Sequence, residues 1–109
     1  MATLKNQACI DACNACAAAC DHCASSCLKE PDLPMMARCI ALDMDCAALC
    51  RVAAGFMARA SGLDKDLCRV CAQACDACSQ ECGQHKHDHC QQCAAACRKC
   101  AEECRRMAA

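Results

Sequence analysis

The chain has 109 residues, 19 of them Cys, with one Phe and neither Tyr nor Trp, which excludes a core packed on aromatic rings. Its 12 basic residues stand against 13 acidic ones for a formal charge of -1, leaving no concentrated positive surface for a nucleic acid partner. The length fits one compact domain over residues 1–109, and no run is both long enough and uncharged enough to span a membrane.

The first predicted helix is marked by Cys9, Cys13, Cys16, Cys20, Cys23 and Cys27. Steps of three and four alternate, the seven-residue repeat that keeps one stripe of a helix against a partner, whereas a strand needs a period of two. Ala12, Ala15, Ala17 and Ala19 lie among the thiols; alanine is the best helix former and admits close helix approach. At about 25 residues the helix would extend roughly 37 Å. Residues 29–34 end it, with Asp32 as the expected cap of the next helix and Pro31 and Pro34 near its start. The second helix carries only Cys39, Cys46 and Cys50, and the same repeat places Met36, Asp43, Ala53 and Met57 at its other inward positions. Gly62 is its expected terminator, and Asp64 the expected cap of the third helix. That helix bears Cys68, Cys71, Cys75, Cys78 and Cys82 and stops at Gly83. A polar loop with His85, His87 and His89 leads to a fourth helix marked by Cys90, Cys93, Cys97, Cys100 and Cys104. Four amphipathic helices with short connections predict an all-α fold, an antiparallel up-down-up-down four-helix bundle with a Cys-lined core.

All 19 cysteines therefore face inward. Leu, Ile and Val bury more area than Cys, so a core written almost wholly in thiols sacrifices packing and implies that the sulfur has a task. Disulfides within a helix fit poorly, since thiols four apart hold their Cβ atoms about 5–6 Å apart, beyond the roughly 3.5–4.5 Å a bridge needs; bridges between helices remain geometrically possible, though an odd count leaves one thiol unpaired. The N-terminal residues lack a continuous apolar run, so the expected location is cytoplasmic, where thiols stay reduced and metal becomes the stronger reading. Tetrathiolate zinc sites would bury excess negative charge. An iron–sulfur cluster would use four cysteines and leave the rest unexplained, although Cys-x-x-Cys recurs at 13–16, 20–23, 68–71, 75–78, 90–93 and 97–100. Cu(I) is soft, accepts few ligands and shares bridging sulfurs, so one ion per thiol gives a neutral array, on the order of twenty ions per chain.

This pattern resembles the bacterial cytosolic copper storage proteins over essentially the whole chain. It is carried by the three-four rhythm of Cys9, Cys13, Cys16, Cys20, Cys23 and Cys27, the sparser Cys39, Cys46 and Cys50, and the runs from Cys68 and Cys90. The resemblance implies storage and buffering of many Cu(I) ions and a homotetramer; a copper chaperone is a candidate partner. The alternatives are a general thiolate metal-detoxification protein for Zn, Cd and Cu, or a thiol redox protein. The latter requires one accessible, low-pKa cysteine pair, and none stands out. No Ser-His-Asp arrangement, phosphate loop or nucleotide fingerprint is present, so the chain is expected not to be an enzyme.

Further candidate ligands interrupt the pattern. Asp43 at a core position must be paired, protonated or bound to a cation. Met36 and Met57 lie toward opposite ends, where a thioether could relay Cu(I) or simply fill space. The bundle brings His85, His87 and His89 near Met35 and Met36, at a mouth lined by Cys27, Cys39, Cys82 and Cys90. His89 is the histidine included among the candidate ligands. Leu4, Phe56, Met57 and Met107 are expected to close the opposite end as an apolar seal, and His22 falls on the outer face. Without metal the thiols should be neutral and the bundle should persist; loading then exchanges protons for Cu(I).

Overall fold

Because steps of three and four put each helix's cysteines on one side, four such helices bury their sulfur by closing around a common axis. The computed structural model describes residues 5–109. Helices α1 (Gln7–Cys27), α2 (Leu33–Ala58), α3 (Asp64–Cys82) and α4 (Asp88–Ala108) follow in chain order, and among the described residues every regular element is helical. Each helix packs on two neighbours, with α1 beside α2 and α4, and α3 beside α2 and α4. The sulfur pairs give the direction of packing. Cys39–Cys82 (3.0 Å), Cys46–Cys75 (3.5 Å) and Cys50–Cys71 (3.6 Å) join α2 to α3. Cys9–Cys104 (3.7 Å), Cys16–Cys97 (3.6 Å) and Cys23–Cys90 (3.8 Å) join α1 to α4. Numbers rise on one helix as they fall on its neighbour, so the bundle is antiparallel and up-down-up-down as expected.

All 19 cysteines are buried, Cys9 at 3% exposure and the others at 0%. Ala17, Ala47, Ala53, Ala94 and Ala101 are buried beside them, and these small side chains let the helices approach closely enough for sulfurs to meet across the axis. Ile10 and Met57 supply larger apolar bulk toward the end that begins α1 and ends α2, and Met36 fills the core one turn toward the mouth from Cys39.

The helix ends depart from the sequence reading in several places. The first helix has 21 residues rather than about 25, because after Cys27 the chain tightens: Lys29 N–H reaches the Ser26 carbonyl and Glu30 N–H the Cys27 carbonyl, both at 3.1 Å. Asp32 does occupy the N-cap of α2, with Pro34 in the first turn, but its side chain makes no capping bond; the Met35 N–H goes to its backbone carbonyl instead. Asp64 is the first residue of α3 rather than its cap, which is Leu63. It adds its charge to the first turn with Asp66, where the helix dipole favours an acid. His89 lies inside α4 rather than in the loop before it.

Gly62 does not terminate α2. That role falls to Ala60, which takes a left-handed φ of 52°. Its N–H reaches the Met57 carbonyl (3.0 Å) while the Ser61 N–H reaches the Phe56 carbonyl (3.0 Å), the paired bonds of a Schellman ending. An L-residue with a Cβ is strained there, whereas Gly62 has no positive φ and open space around it. Ala60→Gly should therefore raise stability by about 1 kcal/mol and Gly62→Ala should cost nothing in urea melts of the reduced protein.

Candidate metal centre

A helix places its cysteines four residues apart one above another, and the resulting intrahelical sulfur distances are uniform. Cys16–Cys20 (3.9 Å), Cys46–Cys50 (4.0 Å), Cys78–Cys82 (3.8 Å) and Cys93–Cys97 (4.0 Å) are all non-bonded contacts. Every cysteine is free. Cross-helix contacts knit these columns into a continuous array. From Cys9 the path runs through Cys104 (3.7 Å) to Cys13 (3.7 Å) and Cys100 (3.6 Å), then to Cys50 (3.8 Å) and Cys46 (4.0 Å). It continues through Cys97 (3.9 Å) to Cys20 (3.7 Å) and Cys93 (3.6 Å).

Sulfurs gather four at a time, each set with its ligand atoms within 4.8 Å of one another: Cys13, Cys71, Cys100 and Cys104; Cys16, Cys46, Cys50 and Cys75; Cys16, Cys20, Cys46 and Cys97; Cys20, Cys78, Cys93 and Cys97; Cys23, Cys27, Cys39 and Cys90. The three middle sets share members, the second and third Cys16 and Cys46, the third and fourth Cys20 and Cys97. Isolated metal sites would not share ligands in this way. Burial pushes the Cys27 thiol up to about 11 and the Cys68 thiol up to about 12.

Asp43 sits within the sulfur array, fully buried. Its Oδ1 accepts from the thiols of Cys78 (3.1 Å), Cys93 (3.2 Å) and Cys82 (3.3 Å), and Oδ2 lies 3.9 Å from the Cys39 sulfur. Burial, followed by the charge of Cys93, raises its carboxyl from an ordinary 3.8 to about 8. Hydrogen bonding and protonation thus meet the requirement that composition placed on a buried acid.

The mouth is built from the start of α4 and the turn after α1. His89 turns Nδ1 toward the sulfurs of Cys23 (3.6 Å), Cys27 (3.8 Å) and Cys90 (3.5 Å) and Nε2 toward Glu30 Oε2 (2.8 Å). His87 stacks on it, ring centroids 5.3 Å apart, with Nδ1 3.2 Å from the same Glu30 oxygen. Hydrogen bonding to His89 holds the Glu30 carboxyl below its ordinary range. His85 turns instead to Glu81 (2.8 Å), which also meets Arg38 (3.4 Å). The three histidines therefore have different surroundings, and of them His89 is the one placed among sulfurs. Met35 is exposed while Met36 is buried, and His22 is exposed as expected.

At the opposite end Leu4 lies outside the described residues, Met57 is buried, and Phe56 and Met107 are half-buried. The apolar seal needs correcting, because a charged group sits there too. Glu103 is buried at 8% exposure and pairs with Arg106 (2.8 Å) and Lys99 (3.4 Å), beside a hollow lined by Asn6, Ala8, Cys9 and Met107. Neither Glu103 on α4 nor Glu30 in the turn after α1 carries a signal in its local sequence. Glu30 could have been found by laying the turn after α1 over the histidine-rich loop, which antiparallel packing requires.

The family model described as copper storage protein (Csp) matches residues 2–109 of this chain. Among solved structures, Cu(I)-bound copper storage protein BsCsp3 is 50% identical, covers 94% of this chain and 97% of its own, and superposes with a TM-score of 0.91. Ccsp from Streptomyces lividans, loaded with 10 copper equivalents, is 40% identical over 92% of this chain and 80% of its own, with a TM-score of 0.89. A structure of copper loading to a cytosolic copper storage protein from Streptomyces lividans, with five coppers, is 38% identical over 94% of this chain and 91% of its own, with a TM-score of 0.91.

The Asp43 environment has a pH signature. Between 3.8 and about 8 the folded chain keeps a proton that the unfolded chain has lost, so stability is full at low pH and falls as pH rises through this window. The metal-free, reduced protein should lose about 1.4 kcal/mol per pH unit from this group between pH 5 and 7, and Asp43→Asn should remove that slope, as read from urea melts at each pH.

Proposed function

The chain belongs to the copper storage protein family, and on that premise we propose that it stores and buffers many Cu(I) ions on the thiolates of its 19 cysteines. The observation that carries the reading is the sharing of sulfurs between adjacent four-sulfur sets. A bridging thiolate divides its charge between two ions, so a row of Cu(I) ions at one per thiol is neutral, whereas separate tetrathiolate zinc sites would each bury a charge of about -2. Among the described residues no cationic side chain is buried to offset such a charge. The copper-loaded Streptomyces lividans and BsCsp3 relatives support the same cargo.

Loading proceeds by exchange. Each neutral thiol that becomes a ligand releases its proton as Cu(I) takes its place, so the core stays close to neutral before, during and after filling. The helices close their own backbone hydrogen bonds and the alanines set their spacing, so the bundle holds its form without metal. Copper enters at the mouth, where the Nδ1 of His89 joins the sulfurs of Cys23, Cys27 and Cys90. Asp43 serves as an inner oxygen ligand or proton carrier among Cys39, Cys78, Cys82 and Cys93, and Met36 is the thioether between mouth and array. The 109 residues work as one storage unit, without catalysis, drawing copper from a chaperone. The cytosolic description of the Streptomyces lividans relative supports a cytoplasmic location.

In this reading the chain assembles as a homotetramer, and apolar groups on the outer surface support self-association. Met44 (61% exposed) and Val52 (44%) on α2 and Val70 (45%) on α3 present apolar groups to solvent, and Leu42, Leu49 and Val70 line a groove between the two helices.

Anaerobic titration of the reduced protein with Cu(I) against a strong chromophoric chelator tests the central reading. We expect retention of well over ten tight equivalents per chain, undisturbed by a tenfold excess of Zn(II), with a helical circular dichroism spectrum already present before copper is added. Retention of about one to four equivalents would overturn storage, and displacement by Zn(II) would favour general metal detoxification.

A further inference from the structure

The two nitrogens of His89 face different chemistry. Nδ1 looks inward at three sulfurs, 3.5 to 3.8 Å away, and Nε2 looks outward at Glu30 Oε2, 2.8 Å away. An ionised carboxylate can only accept, so this contact requires the proton on Nε2; a neutral ring then has its lone pair on Nδ1. The opposite tautomer would aim an N–H at the sulfurs and block any cation they share.

Glu30 is itself held in position. Its Oε2 also meets Nδ1 of His87 at 3.2 Å, and the His87 ring lies parallel to that of His89 within 3°. The side chain of Glu30 is 22% exposed and that of His89 is 14% exposed, so the pair is partly shielded from competing water. Glu30 lies in the turn after α1 and His89 on α4, 59 residues on, so the carboxylate also ties the α1–α2 turn to the rim formed by α4.

We propose that Glu30 is a positioning residue for copper admission: it fixes the Nε2–H tautomer of His89, so that Nδ1 completes a mixed imidazole–thiolate Cu(I) site with Cys23, Cys27 and Cys90. The inference rests on the reading of His89 as a copper ligand. A carboxylate behind a ligating imidazole strengthens it as a donor and places negative charge near an arriving cation, and removing such a partner costs about 10- to 100-fold in metal affinity or activity. Because the inner thiols are untouched, the effect belongs to the speed of filling and not to capacity.

The test combines nitrogen-15 NMR of the His89 ring in the reduced, metal-free protein with anaerobic stopped-flow loading from a Cu(I)–chelator complex. The wild-type ring should show a protonated Nε2 and a bare Nδ1. Glu30→Ala should give a mixture of tautomers and load about tenfold more slowly or worse, with the final number of coppers unchanged. Glu30→Gln keeps an acceptor oxygen without the charge and should fall between the two in both measurements, a graded rescue that loss of turn structure would not produce. The double variant Glu30→Ala with His89→Ala should load no more slowly than His89→Ala alone. If Glu30→Ala retains the wild-type tautomer, or loads at the wild-type rate while His89→Ala is slow, the role of Glu30 is overturned and His89 stands as a ligand. If His89→Ala loads at the wild-type rate, the ligand reading itself is overturned, and with it this inference.

Discussion

The structure depends on one electrostatic constraint: a thiolate may be buried in this bundle only if a cation is buried with it. All the cysteines are buried, and a lone thiolate among them would bear the cost of leaving water. Two arrangements satisfy the constraint, a protonated sulfur or a sulfur shared with a monovalent soft cation. Both are neutral and can exchange one sulfur at a time. The arrangement of the core follows from this. Among the described residues no lysine or arginine is buried to fix the charge in advance, and sulfurs sit close enough together for one ion to find several of them. Asp43, the one fully buried carboxylic acid among the described residues, obeys the same rule by holding its proton.

That constraint also accounts for what the core lacks. Thiols bury less apolar area than leucine or phenylalanine, so the hydrophobic drive per core residue is modest. The helices compensate through alanine-rich sequence and long uninterrupted backbone hydrogen bonding rather than through large side chains. Apart from the closer Cys39–Cys82 pair, the sulfur–sulfur contacts of 3.5 to 4.0 Å are ordinary packing distances, so the same positions serve as core in the empty protein and as ligands in the filled one. Packing and storage are performed by the same atoms.

The two ends of the bundle differ in chemistry. At the mouth, imidazoles and a carboxylate stand over Cys23, Cys27 and Cys90, and a ring nitrogen offers a ligand of intermediate softness where water and sulfur meet. At the other end, Glu103 is clasped by Arg106 and Lys99 next to Cys9, with Met57 buried behind it. An acid satisfied by two cations has little charge left to attract a third, whereas Glu30 offers its charge through a ring that can bind metal. The contrast gives the tube a direction.

Much of this was legible in the chain itself. The three-four rhythm of the cysteines determined helix and inward face, because periodicity is a local property that survives folding unchanged, and the breaks between runs with their short connections determined the four-helix count and antiparallel bundle. It also determined the burial of Asp43 and Met36, which fall on the same repeat. The helix ends were less legible. Ala60 rather than Gly62 takes the left-handed position because the Schellman bonds to Phe56 and Met57 are set by where α2 must stop over the core, and propensity is too weak to decide that against packing. Only the tertiary structure decided which histidine meets sulfur. His85, His87 and His89 alternate along one short segment, and the placement of α4 sends the first to Glu81, the second to the rim and the third inward. Glu30 gains its meaning in the same way, for a carboxylate 59 residues away in sequence acts on a ring only when folding brings the two within a hydrogen bond.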